Sequence, residues 1–369
     1  MTDGVVTLTA HRLLSLDSGC ADYRYAACTF ADGVGDNGRH ANRRRTMTSR
    51  RRLHLAMTVM TFALLLTYGC SAGGPSGGSS PAGSTTNSPA ADAQTSSPSA
   101  SSSSSAPTKL LVIVEENRSF RDVQQNMPYL TTLSHKYGSA ADYYGLMHPS
   151  LPNYLVMAGG STFGVTDDRR PAAHPLSGTS VFSQLLASGH TTKTYAEAMK
   201  GNCVVEDQGR YAVRHNPWTY FTDPQERTAC QQFDVPAGTP TSGELATDIG
   251  RGELPDFSLV IPDICNDGHD CSAQVADTWL KDWLPVVQAG PDFQSGRLAI
   301  VVTWDEDDHT EGNHIATVVI HPSLNGKVVQ TRLDHYALSA AISGIAGAAP
   351  LRDASSAPNF LKAFGLATG

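Results

Sequence analysis

Residues 109–117, Lys-Leu-Leu-Val-Ile-Val-Glu-Glu-Asn, constrain what this chain can fold into more than any other stretch. A run of apolar residues, β-branched at Val112, Ile113 and Val114, ends abruptly in two carboxylates and a carboxamide. A strand apolar on both faces belongs inside a sheet that helices cover. The carboxyl ends of such strands are where open α/β sheets place their ligands. Glu116 and Asn117 are therefore candidate metal ligands.

Much of the front of the chain is of a different kind. Residues 71–107 are almost entirely Ser, Gly, Ala, Pro and Thr, which cannot bury enough apolar surface to offset the entropy of ordering them, so they read as a disordered tether. Ahead of it, Arg50-Arg51-Arg52, an apolar stretch from Leu55 to Tyr68 and Gly69-Cys70-Ser71 have the parts of an export signal spanning 47–70. The segment is similar to a bacterial lipoprotein signal, which would place a lipid on Cys70; ordinary cleavage or an uncleaved anchor are the alternatives. A tether of this length would hold a domain about 35 Å from a membrane. A signal normally begins a chain, so Met47 reads as the start of translation and 1–46 as a doubtful extension, with a long charged leader as the alternative. The chain is expected to be exported, either lipid-anchored through Cys70 on the outer face of the cell membrane or secreted, and to meet the membrane only through that anchor.

Residues 108–369 remain, enough for one catalytic domain. They carry 18 of the 27 Lys and Arg but 29 of the 35 Asp and Glu, and so lack the basic surface that phosphate contacts with a nucleic acid require. Four cysteines lie there, Cys203, Cys230, Cys265 and Cys271. In an exported domain they suggest two disulfides with three possible pairings, of which the local one, 203–230 and 265–271, is preferred. A zinc site is the rival, though no Cys-x-x-Cys spacing supports it.

Leu110–Val114, Leu259–Ile261, Leu298–Thr303 and Thr317–Ile320 read as buried strands, and Val181–Ser188, Ser272–Gln288 and His335–Ile345 as helices. Their alternation predicts an α/β fold, a mostly parallel central sheet with helices on both faces. Residues 200–257, rich in turn formers, read as excursions over the ligand-binding edge.

Four constellations sit at or near the ends of apolar runs. Glu115-Glu116-Asn117 offers hard oxygen ligands for Mg, Ca or Mn, against the bland alternative of a charged loop. In His148-Pro149-Ser150-Leu151-Pro152-Asn153, Pro152 pre-sets a first helical turn, which places Ser150 just ahead of a helix N-terminus where an anion is favoured. There Ser150 is either a plain N-cap or a nucleophile that an adjacent metal could activate. Trp304-Asp305-Glu306-Asp307-Asp308-His309 closes a strand with four consecutive carboxylates, which repel one another unless a cation or protons neutralise them; the alternative is a solvated acidic loop. Cys265-Asn266-Asp267-Gly268-His269-Asp270-Cys271 would be clamped by a local disulfide that holds His269 and Asp270 in one geometry, making His269 a proton donor or phosphate contact. His314 and His335, each ahead of an apolar stretch, are further candidates, whereas His174, His190, His309 and His321 are assigned to the surface. His215 either contacts substrate or joins an aromatic cluster.

Taken in order, Val112–Ser119, His148–Tyr154, Phe163-Gly164, Tyr211–Phe221, Asp263–Asp270, Trp304–Asp308 and Asp334-His335-Tyr336 resemble the bacterial phosphoesterase family of secreted acid phosphatases and phospholipases C, a branch of the alkaline-phosphatase-like superfamily. The resemblance spans 108–345. It implies an alkaline-phosphatase-like fold, metal ligation by Glu116, Asn117, Asp305 and Glu306, and Ser150 as nucleophile. It also places His148, His269, His314 and His335 about the phosphate; beside it, Asn153, His215 and Asp270 are assigned as substrate contacts. No Asp-His-Gly element of the two-metal relatives is present, which implies one divalent ion. Ser150 stands where many phospholipase relatives carry Thr, and this favours a phosphomonoester. The implied partner is a small phosphorylated molecule, a phosphoinositide or other lipid phosphate among the possibilities. A phosphodiesterase of the phospholipase C type and a non-catalytic ligand-binding lipoprotein are the competing readings.

Overall fold

β1 (Lys109–Glu115) runs near the middle of an eight-stranded sheet, flanked by two parallel neighbours. These are β6 (Phe257–Ile261) and β7 (Leu298–Trp304). The structure is a computed structural model that describes residues 106–366; the expectations for 1–46, for the signal at 47–70 with Cys70, and for nearly all of the tether lie outside those residues. The remaining strands are β2 (Gly138–Ala140), β3 (Tyr143–Tyr144), β4 (Thr192–Ala196), β5 (Asp234–Pro236), β8 (Thr317–Ile320), β9 (Lys327–Val329) and β10 (Leu333–Asp334). The large sheet has the order β5-β4-β6-β1-β7-β8-β2-β9, and β8 alone pairs antiparallel with both of its neighbours. β3 and β10 form a separate parallel pair.

The helices are α1 (Phe120–Asn126), α2 (Pro128–Lys136), α3 (Ser150–Gly159), α4 (Val181–Ala187), α5 (Pro224–Phe233), α6 (Glu244–Arg251), α7 (Ala273–Ala289), α8 (Pro291–Gln294), α9 (His335–Ile345) and α10 (Phe360–Ala363). They form two packed groups: α1, α2, α6 and α8 meet α7, while α3, α4 and α10 meet α9. Val112 of β1 lies among Met157, Ala158, Val181, Leu338 and Ile342 of the second group. Side chains alternate along a strand, so Glu116 shares the face of Val112 and Glu115 takes the other. Leu110, Leu111, Val112, Ile113 and Val114 are all buried, each worth about 1.5–3 kcal/mol by transfer from water. This is the expected α/β fold with a mostly parallel sheet covered on both faces.

Two local expectations differ. Residues 200–257 do more than cross the ligand edge, since they supply α5, α6 and the sheet's edge strand β5. Ser150 is the first residue inside α3 rather than ahead of it; Pro149 is the N-cap and no side chain makes a capping bond there. Ser150 is thus not a simple cap. The disulfides are Cys203–Cys230 and Cys265–Cys271, the local pairing, as suits maturation in an oxidising compartment. Among the described residues the one tight group of three metal-type donors is Cys203, Cys230 and Asp234, and its sulfurs are already bonded to each other, which removes the zinc alternative there. No helix among the described residues is long and apolar enough to cross a membrane.

Candidate active site

The site grows from the shared end of β1 and β7. Their parallel register pairs Glu115 with Trp304, so Glu116 and Asp305 leave neighbouring strands side by side. The Asp305 amide donates to the Glu115 carbonyl at 3.1 Å, and the Glu116 amide to the Asp267 carbonyl at 2.8 Å, which ties in the loop after β6. Asn117 then adopts φ +53°, a left-handed conformation that Asn tolerates better than most residues. This turn brings its backbone N–H to 3.3 Å from Asp305 Oδ1.

α3 supplies the hydroxyl. Ser150 Oγ donates to Glu116 Oε2 at 3.0 Å, and Tyr154, four residues on and so on the same helical face, donates its hydroxyl to Glu116 Oε1 at 2.7 Å. The hydroxyl lies in the first turn of α3, where the helix dipole favours negative charge. Asp168 Oδ1 takes the Leu151 amide at 2.9 Å. Asn153, expected to touch substrate, instead accepts from the Leu146 and Met147 amides and donates to the Met147 carbonyl and to Glu306 Oε2. Its carboxamide is consumed in holding that loop and Glu306.

Glu116, Asp305 and Glu306 are all buried. Burial first, and then the neighbouring carboxylates, pushes Glu116 well above the ordinary range; Glu306 rises for the same two reasons, and burial raises Asp305. Asn117 Oδ1 lies 3.1 Å from Glu116 Oε2 and 3.2 Å from Glu306 Oε1. Oxygens facing one another at this spacing suit neighbouring ligands of one hard cation; with the amide turned over, its NH2 would donate to both. Asp305 Oδ2 is buried with no partner. The donor chemistry of Glu116, Asn117, Asp305 and Glu306, with this orphaned oxygen among them, suits a hard divalent cation, although among the described residues the carboxylates are drawn less tightly together than Cys203, Cys230 and Asp234. Asp307 serves differently, for its carboxylate accepts from the His309 and Glu311 amides and from His148 Nε2.

The histidines divide sharply. His215 is buried, stacked on Tyr154, with Nε2 3.3 Å from Glu116 Oε1 and Nδ1 3.3 Å from Asp267 Oδ2, both outside good hydrogen-bond alignment. Burial, reinforced by the Arg214 charge, holds it well below its ordinary pKa. His148 lies between Glu306 Oε2 and Asp307 Oδ1, each 3.1 Å away, and packs at a tilt of 31° against His309. Burial and then His309 lower its pKa. His269 is partly exposed, with Nδ1 2.8 Å from Asp270 Oδ1 and Nε2 3.2 Å from Arg214 Nη2. Asp270 thus orients His269.

Two expectations are corrected. His314 is stacked between Phe120 and Tyr144, with Nε2 at the Ala141 carbonyl, and touches none of the site residues named above. His335 is wholly buried, with Nε2 2.6 Å from the Asp305 carbonyl and Nδ1 3.2 Å from the Tyr143 hydroxyl; burial lowers its pKa to about 4, and both ring nitrogens are engaged in supporting Asp305 from behind. His321, assigned to the surface, is buried between Ser323 and the Gly296 carbonyl, and His174 is largely covered beside Asp167. Sequence reasoning missed Tyr154, Asp168, Asp267, Arg118 and Arg214. Arg118 clamps the disulfide loop through the Gly268 and Cys271 carbonyls at 2.8 and 2.7 Å. Only Tyr154 carried a readable signal, its spacing of four from Ser150.

A family model described as the Phosphoesterase family matches residues 123–347. The chain belongs to the phosphoesterase family. It is a hydrolase of phosphoric esters, and the matched span contains Ser150, Asp305 and Glu306, with Glu116 and Asn117 just ahead of it. The phosphatidylinositol-3-phosphatase of Mycobacterium tuberculosis is 30% identical over 257 residues, covering 68% of this chain and 80% of that protein. A probable acid phosphatase of Kluyveromyces lactis is 26% identical over 248 residues, covering 63% of this chain but 57% of that protein. Among solved structures, a protein in the alkaline phosphatase superfamily from Vibrio parahaemolyticus aligns with a TM-score of 0.48 at 12% identity, over 69% of this chain and 72% of that one.

Proposed function

We propose that the chain is a metal-dependent phosphomonoesterase that works through a covalent phosphoserine on Ser150. The observation that carries this reading is the Ser150 hydroxyl, buried in the first turn of α3 and hydrogen-bonded at 3.0 Å to a carboxylate of the metal-ligand set. A bound divalent cation would supply positive charge to favour the serine alkoxide and the phosphoryl oxygens. Ser150 Oγ attacks phosphorus and gives up its proton towards Glu116 Oε2, the acceptor it already faces. The bond from phosphorus to the leaving oxygen breaks, and His269, oriented by Asp270 and carrying at Nε2 a proton first taken up from solvent, donates that proton to the oxygen. The neutral imidazole then takes a proton from water as the water oxygen attacks phosphorus, the bond to Ser150 Oγ breaks, and Oγ takes back its proton from Glu116. His148 and His215 stand beside Glu306 and Glu116, at 3.1 and 3.3 Å, without an aligned hydrogen bond to either.

The substrate under this reading is a small phosphomonoester, with a phosphoinositide as a lipid example in keeping with the mycobacterial relative's name. Export with a lipid on Cys70 belongs to the same proposal, and the mass of the N-terminal peptide of the native protein tests it. The decisive experiment uses full-length protein, a chromogenic phosphomonoester, chelation, and re-addition of Mg, Ca or Mn. Turnover that needs both Ser150 and one of these ions supports the proposal, whereas undiminished turnover by Ser150→Ala overturns it. Faster hydrolysis of bis-esters or phosphatidylcholine would move the assignment to a phosphodiesterase, and no turnover with intact ligand binding to a non-catalytic lipoprotein.

A further inference from the structure

Arg214 stands apart from the other arginines around the site. Arg118 is engaged by two loop carbonyls, Arg169 and Arg170 by Asp167 and Glu206, and Arg210 faces Asp263. Arg214 is mostly covered, at 22% side-chain exposure, yet among the described residues its one hydrogen-bond acceptor is His269 Nε2 at 3.2 Å. Asp168 Oδ2 is 3.9 Å from its Nε, beyond hydrogen-bond reach. A guanidinium has five N–H donors in a planar fork. Most of this fork has no protein acceptor.

Its backbone leaves it little choice of direction. Arg214 lies in the 3-10 turn Val213–His215, between two buried residues, with the Val213 amide fixed on Asp207 at 2.9 Å. His215 Nε2 lies 3.3 Å from Glu116, and Arg214 lies beside two groups next to the reaction centre, His269 at 3.2 Å and, at 3.9 Å, Asp168, which holds the amide of Leu151. The carboxylates gathered around Ser150 would repel an arriving dianion, so a cation at this rim has a task that none of the acidic groups can perform.

We infer that Arg214 is the specificity-determining anion receptor of the site, taking two oxygens of a terminal phosphoryl group and so selecting phosphomonoesters over diesters. This rests on the phosphatase reading above and deepens it. A forked donor matches two free phosphoryl oxygens; a monoester has three, so one would remain for the cation, whereas a diester has only two for both partners and carries one less negative charge. When the guanidinium turns to the phosphate, His269 Nε2 loses the donor that now occupies it and becomes free to carry the proton for the leaving oxygen.

Calorimetry on full-length protein with Mn²⁺ present tests this, using inorganic phosphate and dimethyl phosphate as probes. In Arg214→Gln the phosphate Kd should rise at least about tenfold while the weaker dimethyl phosphate Kd moves less than about threefold; kcat/KM for a phosphomonoester should fall at least about 30-fold. Arg214→Lys, which keeps the charge and loses the fork, should fall between Gln and wild type. A phosphate Kd unchanged in a cooperatively melting Arg214→Gln variant, or equal losses for both probes, overturns the inference. Turnover independent of Ser150 would sink the parent reading instead, and calorimetry without turnover keeps the two failures distinct.

Discussion

His335 Nε2 lies 2.6 Å from the backbone carbonyl of Asp305, while its Nδ1 meets the Tyr143 hydroxyl at 3.2 Å. These partners fix the tautomer, with Nε2–H donating to the carbonyl and Nδ1 accepting from tyrosine. The ring therefore sets where Asp305 can be without touching the ligand set. His335→Ala should lower the melting temperature by roughly 5–10 °C and weaken Mn²⁺ binding about tenfold. His335→Gln, which can still donate to the carbonyl, should restore part of the metal affinity. Calorimetric Kd values for the two variants check this; equal losses would show that the position is merely part of the core.

Neutralising a proposed metal ligand should separate stability from function. Burial makes the Asp305 charge costly, so in metal-free protein at pH 8 Asp305→Asn should melt a few °C higher than wild type, by about the relief of one unpaired buried charge. The same variant should lose the rise in melting temperature that Mn²⁺ gives wild type, and at least about 10³ in kcat. A retained Mn²⁺-dependent rise would remove Asp305 from the ligand set.

The disulfides should divide the same way. Breaking Cys203–Cys230, with its separation of 27, should cost more stability than breaking Cys265–Cys271, with its separation of 6, roughly 3.5 against 2.2 kcal/mol on chain-entropy grounds. The short bridge carries Asp267, His269 and Asp270 between its ends, so the Cys265→Ser/Cys271→Ser variant should lose more kcat than the other pair. Paired denaturation and kinetic measurements decide it.

Asp234 offers a pH test away from the site. It is buried and pushed by that burial from 3.8 to about 7, while Asn216 Nδ2 donates to both of its oxygens. Between those two values the folded chain binds a proton that the unfolded chain releases, so this group's contribution to stability falls as pH rises from 4 to 7 and levels off above. The melting temperature of wild type relative to Asp234→Asn should therefore decline across that window. Scans at pH 4.5, 6 and 7.5 that show a constant difference would contradict the assignment.

The strands legible in the sequence were those at the sheet centre, where burial on both faces leaves an unbroken apolar run, as in β1 and β7. β2 (Gly-Ser-Ala), β4 (Thr-Lys-Thr-Tyr-Ala) and β5 (Asp-Val-Pro) lie towards the edges and take their register from neighbours rather than from any pattern of their own. Glu116, Asn117, Asp305 and Ser150 could be brought together on paper because strand ends and a helix start are marked locally. The direction of a histidine side chain has no such mark, and His314 and His335 were misjudged because each merely precedes an apolar stretch. Arg214 and Asp168 sit on loops whose closure depends on contacts far along the chain.

The alternation of β1 carries a penalty for any change in its length. Glu115 points towards Asp267, Glu197 and Asp277 on one side, and Glu116 towards Ser150 on the other. Inserting or deleting one codon between residues 110 and 115 would exchange the two carboxylates between faces while leaving an equally greasy strand. Such a protein could keep its sheet and still be inert, so this segment should accept swaps among Val, Ile and Leu far more readily than a single-residue indel.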